Sequence, residues 1–230
     1  MEQLVWLTDE DYTFPDVGHA LVEPNGLLAV GGDLSTERLL SAYGSGIFPW
    51  YEEDQPILWW SPDPRTVIEP EGFHVSRSLR RTLNSGRFTV TFDQFFENVI
   101  DCCAQTRRDS TGTWITKEIK RAFCTLHEQG IAHSAEIWYQ EKLVGGIYGI
   151  AMGSVFFGES MFSKIADASK VAMYELIRHL KKSNFSLLDC QVYSDHLASL
   201  GAFNMPRGEF IAHLQTQITD VGQSNWIAPQ

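Results

Sequence analysis

The chain has 230 residues, enough for one large domain or two modest ones. Its 43% hydrophobic and 12% aromatic content excludes a disordered chain, and a net charge of −11 argues against a generic nucleic-acid coat. That charge leaves room for a local basic patch and would suit a cationic peptide substrate. Apolar runs are far shorter than a membrane span, and the first residues lack the basic-then-apolar pattern of a leader, so no membrane association is expected. Cys102, Cys103, Cys124 and Cys190 show neither C-x-x-C spacing nor histidines at zinc-finger intervals. The expectation is a cytoplasmic protein with reduced thiols and no metal.

Residues 1–63 read as a small N-terminal domain dense in turn formers and aromatics. Phe14-Pro15, Glu23-Pro24-Asn25-Gly26 and Gly31-Gly32-Asp33 are turn chemistry. Ser35 to Tyr43 is a short helix, with Ser35 as its N-cap and Glu37 in its first turn. GIFPWY and PILWWSPDPR then place Trp50, Trp59 and Trp60 within eleven residues. Indoles at this density either staple a small core or offer a stacking platform for a base. Trp50, beside a proline in a loop, suits the platform better.

The Pro62–Pro64 pair marks a boundary, and 64–230 reads as a second domain. It opens with a strand (RTVIEP), a helix (SRSLRRTL) and a strand (FTVTF). Ser76 caps that helix, and Arg77, Arg80 and Arg81 fall at i, i+3 and i+4, the one concentrated positive patch among 18 basic residues. Such a patch is either a solvated face or a grip on a phosphate backbone. A helix from Phe95 to Cys103 follows, then a polar loop from Arg107 to Thr113 running into GTWIT, then an amphipathic helix from Lys117 to Glu128 stopped by Gly130.

The strand HSAEIWYQ, with a turn at Glu141-Lys142, leads into the stretch that organises the domain, Leu143 to Leu200. It reads as an apolar glycine-rich strand segment ending in FFGESMFS, a helix from Ala168 to Lys182, and a second strand, SLLDCQVY. Few groups there can do chemistry: Glu159, Ser160, Ser163, Asp189 and Gln191. A carboxylate in a buried strand needs a reason, and period-2 geometry puts Asp189 and Gln191 on one face, where they can act together. A final helix spans Arg207 to Thr219, with Gly208 an awkward early residue. The pattern is α/β (α+β): a small mixed domain followed by an acetyltransferase-like mixed sheet flanked by helices.

The segments EPNGLLAVGGDLS, GIFPWY, ILWWSPDPR, HVSRSL, GTWIT, AHSAEIW, FFGESMFS, DASK, DCQV and HLASLGA run across nearly the whole chain. In that order they resemble the leucyl/phenylalanyl-tRNA–protein transferase family. The resemblance implies transfer of Leu or Phe, with Met a further candidate, from charged tRNA to the N-terminal Arg or Lys of a protein, marking it for degradation. The ester is already activated, so neither ATP nor another cofactor is implied, and the partners are the tRNA 3′ end and acceptor stem rather than DNA.

Carried over by position, Asp189 and Gln191 match the reaction centre, Asp189 either orienting Gln191 or accepting a proton through water. Glu159 matches the residue near the α-amino group of the transferred amino acid. Ile147, Met161, Val171, Tyr174 and Leu188 match the aminoacyl side-chain pocket, with Ile147 standing where the family is often Met. Trp50 and Trp114 match the adenosine platform, the N-terminal domain thus contributing to 3′-end contacts, and Phe123 replaces a frequent tyrosine nearby. Arg77, Arg80 and Arg81 would follow the acceptor-stem phosphates. Two rivals compete with this reading: an acyl-CoA-dependent N-acetyltransferase and a non-catalytic RNA-binding protein. The first wants a glycine-rich pyrophosphate nest where SKIADASK has none, and the second is poorly served by the charge of −11.

Overall fold

The computed structural model describes residues 4–8, 10–108, 113–220 and 222–227, so four positions of the polar loop expected at 107–113 lie outside the described residues. Strands β1 (Val5–Leu7), β2 (Leu27–Gly31), β3 (Phe48–Pro49) and β4 (Leu58–Trp60) form a first sheet in the order β1-β2-β4-β3. Between β2 and β3 runs α1 (Thr36–Gly44), where the Ser35 hydroxyl accepts from the Arg38 N–H as an N-cap does. Trp59 is the indole that staples this core. It is wholly buried, it packs edge-on against Phe14, and its Nε1 donates to the Gly31 carbonyl at 2.9 Å.

The second sheet holds β5 (Arg65–Ile68), β6 (Thr89–Phe92), β7 (Ala132–Tyr139), β8 (Lys142–Met152), β9 (Val155–Ser163), β10 (Leu187–Gln191) and β11 (Phe203–Met205). Their order is β11-β5-β10-β9-β8-β7-β6, and every pairing is antiparallel except β9 with β10. A parallel pair needs a crossover, supplied by α5 (Ala168–Lys182). The β7–β8 hairpin turns at Gln140 and Glu141, both at positive φ, one residue earlier than the sequence suggested. The glycine-rich stretch read as one strand is two, β8 and β9, folded back at Gly153 (φ +53). Its glycines serve close packing: at Gly149 a Cβ would run into the Phe157 carbonyl.

Helices cover both faces. On one lie α5 and α2 (Arg77–Asn84), burying Leu176, Ile177 and Leu79 against Ile68, Ile147 and Leu188. On the other lie α1, α3 (Phe96–Arg108), α4 (Lys117–Glu128) and α7 (Arg207–Gln217), packed on Ile150, Phe157 and Leu187. This second core takes in Trp59 and Tyr43 of the N-terminal region, so one apolar interior joins both sheets. Helix α3 runs past Cys103 because nothing after it breaks a helix before Arg108. The short α6 (Asp195–Ser199) and β11 had no periodic signal in the sequence. Gly208 sits in the first turn of α7, where a missing side chain matters least. No helix among the described residues is long and apolar enough to cross a membrane.

Candidate active site

Strands β9 and β10 pair from Leu187 opposite Val155 to Asp189 opposite Phe157, and there the pairing ends. Beyond it each strand carries an irregularity against its other neighbour. Opposite β8, the register jumps from Gly158 to Ser160 and leaves Glu159 as the extra residue. Opposite β5, it jumps from Asp189 to Gln191 and leaves Cys190 extra, with Gln191 at φ +63. Bulges bend strands and re-aim side chains, so β9 and β10 part and a cavity of about 330 Å³ opens between them. The alternation expected along SLLDCQVY therefore holds only as far as Asp189. Gln191 meets Asp189 through a kinked backbone rather than through period-2 geometry.

Asp189 and Arg65 are both buried, and they form a bidentate ion pair: Arg65 Nε to Oδ1 at 2.8 Å and Nη2 to Oδ2 at 2.7 Å. Arg65 Nη1 also donates to the Gly46 carbonyl, and Phe48 and Phe210 rings flank the guanidinium. The Gln191 backbone N–H donates to Asp189 Oδ1 at 2.9 Å. Of the two roles left open for Asp189, this geometry favours orientation, exerted through the main chain, because both carboxylate oxygens already accept strong donors.

Glu159 is buried beside it. Its Oε1 accepts from the Tyr43 hydroxyl at 2.7 Å and from Gln191 Nε2 at 2.8 Å, while Oε2 has no hydrogen-bond partner among the described residues. Burial pushes the Glu159 carboxyl up to about 8, aided by the nearby Asp189 charge and opposed by Tyr43, Arg65 and Gln191. The same burial, with Glu159 close by, raises the Tyr43 hydroxyl well above its ordinary range. Tyr43, Glu159 and Gln191 thus form one chain of hydrogen bonds centred on Oε1, which leaves Oε2 without a partner among the described residues.

Ile147, Met161, Met173 and Leu188 make the apolar wall, and Trp50 and Trp114 also line the cavity. Trp50 is 44% exposed and tilts over Trp60, whose Nε1 holds the Trp50 carbonyl at 2.7 Å. Arg107, from the end of α3, donates from Nε to Ser160 Oγ at 3.0 Å and lies 5.8 Å from the Trp114 ring. Ser163 instead turns away, accepting from the Ser169 N–H and donating to the Ile165 carbonyl.

Several expected positions lie elsewhere. Val171 is buried in the core between α5 and the sheet, and Tyr174 packs on Phe73; neither lines the cavity. Met173, on the neighbouring stripe of the same helix, takes that place, and spacing alone does not say which stripe faces the gap. Phe123 is core, edge-on to Tyr148, whose buried hydroxyl has no partner among the described residues. Arg77, Arg80 and Arg81 are exposed on α2, away from the cavity lining, and make no ion pair among the described residues. Tyr43, Arg65, Arg107 and Met173 were not singled out in the sequence. Arg65 had a signal: a lone cation in the apolar strand RTVI demands a buried anion, and Asp189, Glu159 and Glu136 were the anions that other strands offered. No group of three His, Cys, Asp or Glu that could hold a metal occurs among the described residues.

A shallower groove lies between α1 and α7, lined by Leu40, Leu214 and Ile218 with Glu37 at its side.

Known proteins resemble this chain along almost its whole length. Residues 67–215 match the leucyl/phenylalanyl-tRNA protein transferase family, and residues 32–63 match that family's N-terminal domain. A leucyl/phenylalanyl-tRNA–protein transferase from Pseudomonas putida (strain W619) is 53% identical over 223 residues, covering 97% of this chain and 99% of its own. One from Pseudomonas aeruginosa PAO1 is 55% identical over 212 residues, covering 92% and 94%. The solved structure of L-PGS from Bacillus licheniformis aligns with 74% of this chain and 56% of its own at 12% identity, with a TM-score of 0.42, too distant to carry an argument. With the cavity between bulged strands, the buried carboxylates and identities above one half over nearly the full length, the chain belongs to the leucyl/phenylalanyl-tRNA protein transferase family and is an aminoacyltransferase.

Proposed function

We propose that the cavity receives the aminoacyl-adenosine end of Leu- or Phe-tRNA and presents its ester to the N-terminal Arg or Lys of an acceptor protein. One observation carries this reading: an apolar wall, a buried carboxyl whose Oε2 has no partner among the described residues, and two indoles meet around one opening. Ile147, Met161, Met173 and Leu188 take the Leu or Phe side chain, and its α-ammonium meets Glu159 Oε2. Adenine stacks on Trp50 and Trp114, contacts worth ~1–3 kcal/mol per base and indifferent to the rest of the tRNA sequence. Arg77, Arg80 and Arg81 lie along acceptor-stem phosphates, so the tRNA body is held by charge and shape.

The acceptor's α-amine, with a free pKa of ~8, keeps a useful neutral fraction near pH 7 and needs no strong base. Its nitrogen attacks the ester carbonyl, a C–N bond forms, the C–O bond to the terminal ribose breaks, and the oxygen leaves as a hydroxyl after taking up the amine's proton. Positioning contributes most of the rate. The Gln191 amide gives its N–H to Glu159 and so presents its carbonyl oxygen, the acceptor for an N–H of the attacking amine, at the opposite end. Asp189 fixes this residue by holding its backbone N–H.

The carboxyl of Glu159, raised to about 8 by burial, is ionised by an arriving ammonium, so productive binding releases a proton. An N-acylated aminoacyl-tRNA brings no such charge and is discriminated against. The acyl-CoA reading meets an obstacle at α5. Its N-cap residue is Asp167, hydrogen-bonded to Thr82, so an anion sits where a pyrophosphate would need positive backbone donors.

The test is a transfer assay with Leu-, Phe- and Met-tRNA and peptides beginning with Arg, Lys, Asp or Ala. Label should appear on the Arg and Lys peptides alone. Equal labelling of the Ala peptide, or acetyl transfer from acetyl-CoA, would contradict the proposal. The site of action is the cytoplasm, where charged tRNA is made, and labelled proteins are directed to degradation.

A further inference from the structure

Arg107 belongs to neither of the hydrogen-bonded groups at the reaction centre, yet it touches both halves of the cavity. Its guanidinium lies 5.8 Å from the Trp114 ring, within cation–π reach, and its Nε holds the Ser160 hydroxyl at 3.0 Å. Ser160 is buried, opposite Tyr148, and directly follows Glu159, the residue the bulge in β9 leaves unpaired. One rigid plane therefore spans from the indole assigned to adenosine to the strand position that determines where Glu159 points.

We infer that Arg107 is a positioning residue, which fixes Trp114 and the Glu159 bulge relative to each other so that a stacked adenosine brings its ester into line with Gln191. This rests on the function proposed above. Only arginine combines a flat face for the indole with a directional Nε donor for the serine; lysine keeps the charge and loses both. The two contacts have separable consequences. The one to Trp114 bears on how well the donor binds, and the one to Ser160 bears on how well the bound donor is aligned.

The experiment measures kcat and KM for Leu-tRNA with an Arg-starting peptide in R107K, R107A, S160A, W114A and the doubles R107A/S160A and R107A/W114A. R107K and R107A should each lose about tenfold or more in kcat/KM, from a rise in KM and a fall in kcat. S160A should lower kcat with little change in KM. The double R107A/S160A should have the kcat of R107A alone, and R107A/W114A the KM of W114A alone, because each pair removes one shared contact. Losses that multiply in the doubles, or an R107K enzyme indistinguishable from the parent, would overturn the inference. A purely structural role would lower thermal stability and the fraction of active enzyme, leaving KM unmoved, and that also overturns it. Failure of the parent enzyme itself to transfer leucine would instead bring down the proposed function.

Discussion

The Asp189–Arg65 pair gives the sharpest consequence for stability. Asp189→Asn keeps the size of the side chain and removes its charge. Both side chains are buried, with relative exposures of 0% and 1%, and both guanidinium contacts are short. Asparagine offers one acceptor and turns an N–H donor toward Arg65, leaving the cation with the Gly46 carbonyl and two aromatic faces. Breaking a buried pair by removing one partner costs ~3–5 kcal/mol. In a chain of this size each kcal/mol moves Tm by ~2–4 °C, so Asp189→Asn should melt ~6–20 °C lower. Activity should fall ~10²-fold or more, because the Oδ1 that fixes the Gln191 backbone N–H becomes a weaker, neutral acceptor on a side chain no longer clamped by both arms of Arg65. The double variant Arg65→Met with Asp189→Leu replaces the pair by apolar groups of similar size and should recover most of the lost Tm without recovering activity. Calorimetry and the transfer assay on the same preparations read both. A Tm drop below about 2 °C for Asp189→Asn would refute the argument that this pair holds an otherwise unpaid buried charge.

Other consequences concern the ligands and pH. Trp50→Ala, at an exposed indole, should weaken use of charged tRNA by ~1–3 kcal/mol with Tm unchanged, whereas Trp114→Ala should do the same and also lower Tm by a few degrees, on the order of 1 kcal/mol of lost packing. A KM within twofold for Trp50→Ala would show that it is not a platform. Arg80→Ala should reduce the salt slope of tRNA binding by about one without altering the choice between Leu and Phe, and an unchanged slope would mean a solvated face. For Glu159, the folded value of about 8 lies above the ordinary 4.5, so the folded state holds an extra proton and stability falls as pH rises across that window. Glu159→Gln lacks this dependence. Its Tm relative to the parent should therefore climb between pH 5 and pH 9, with ~1.4 kcal/mol per pH unit as the upper limit. A constant difference would mean that Glu159 is ionised throughout.

Regular elements with strong local signals were legible in the sequence. Ser35 and Ser76 sit at the N-caps they were assigned, and α4 and α5 run over the residues their apolar spacing marked. The opening of the cavity was not legible, because it depends on two bulges. A bulge has no period of its own; it appears only when two strands are aligned, so Glu159 and Cys190 look like ordinary alternating residues. Tyr43 was hidden for a similar reason. It reads as one more apolar residue of α1, and its hydroxyl meets a carboxylate 116 positions away. Of the five residues assigned to a side-chain pocket, Ile147, Met161 and Leu188 on strands line the cavity, while Val171 and Tyr174 on α5 do not. A strand residue has two faces to choose between, while a helix wedged beside a sheet has several stripes.

The measurement that bears most directly on this account is a crystal structure with a non-hydrolysable leucyl-adenosine analogue. The account predicts leucine against Ile147, Met161, Met173 and Leu188, its ammonium on Glu159 Oε2, and adenine against Trp50 and Trp114. Adenosine bound in the groove between α1 and α7, or an ammonium turned away from Glu159, would contradict it.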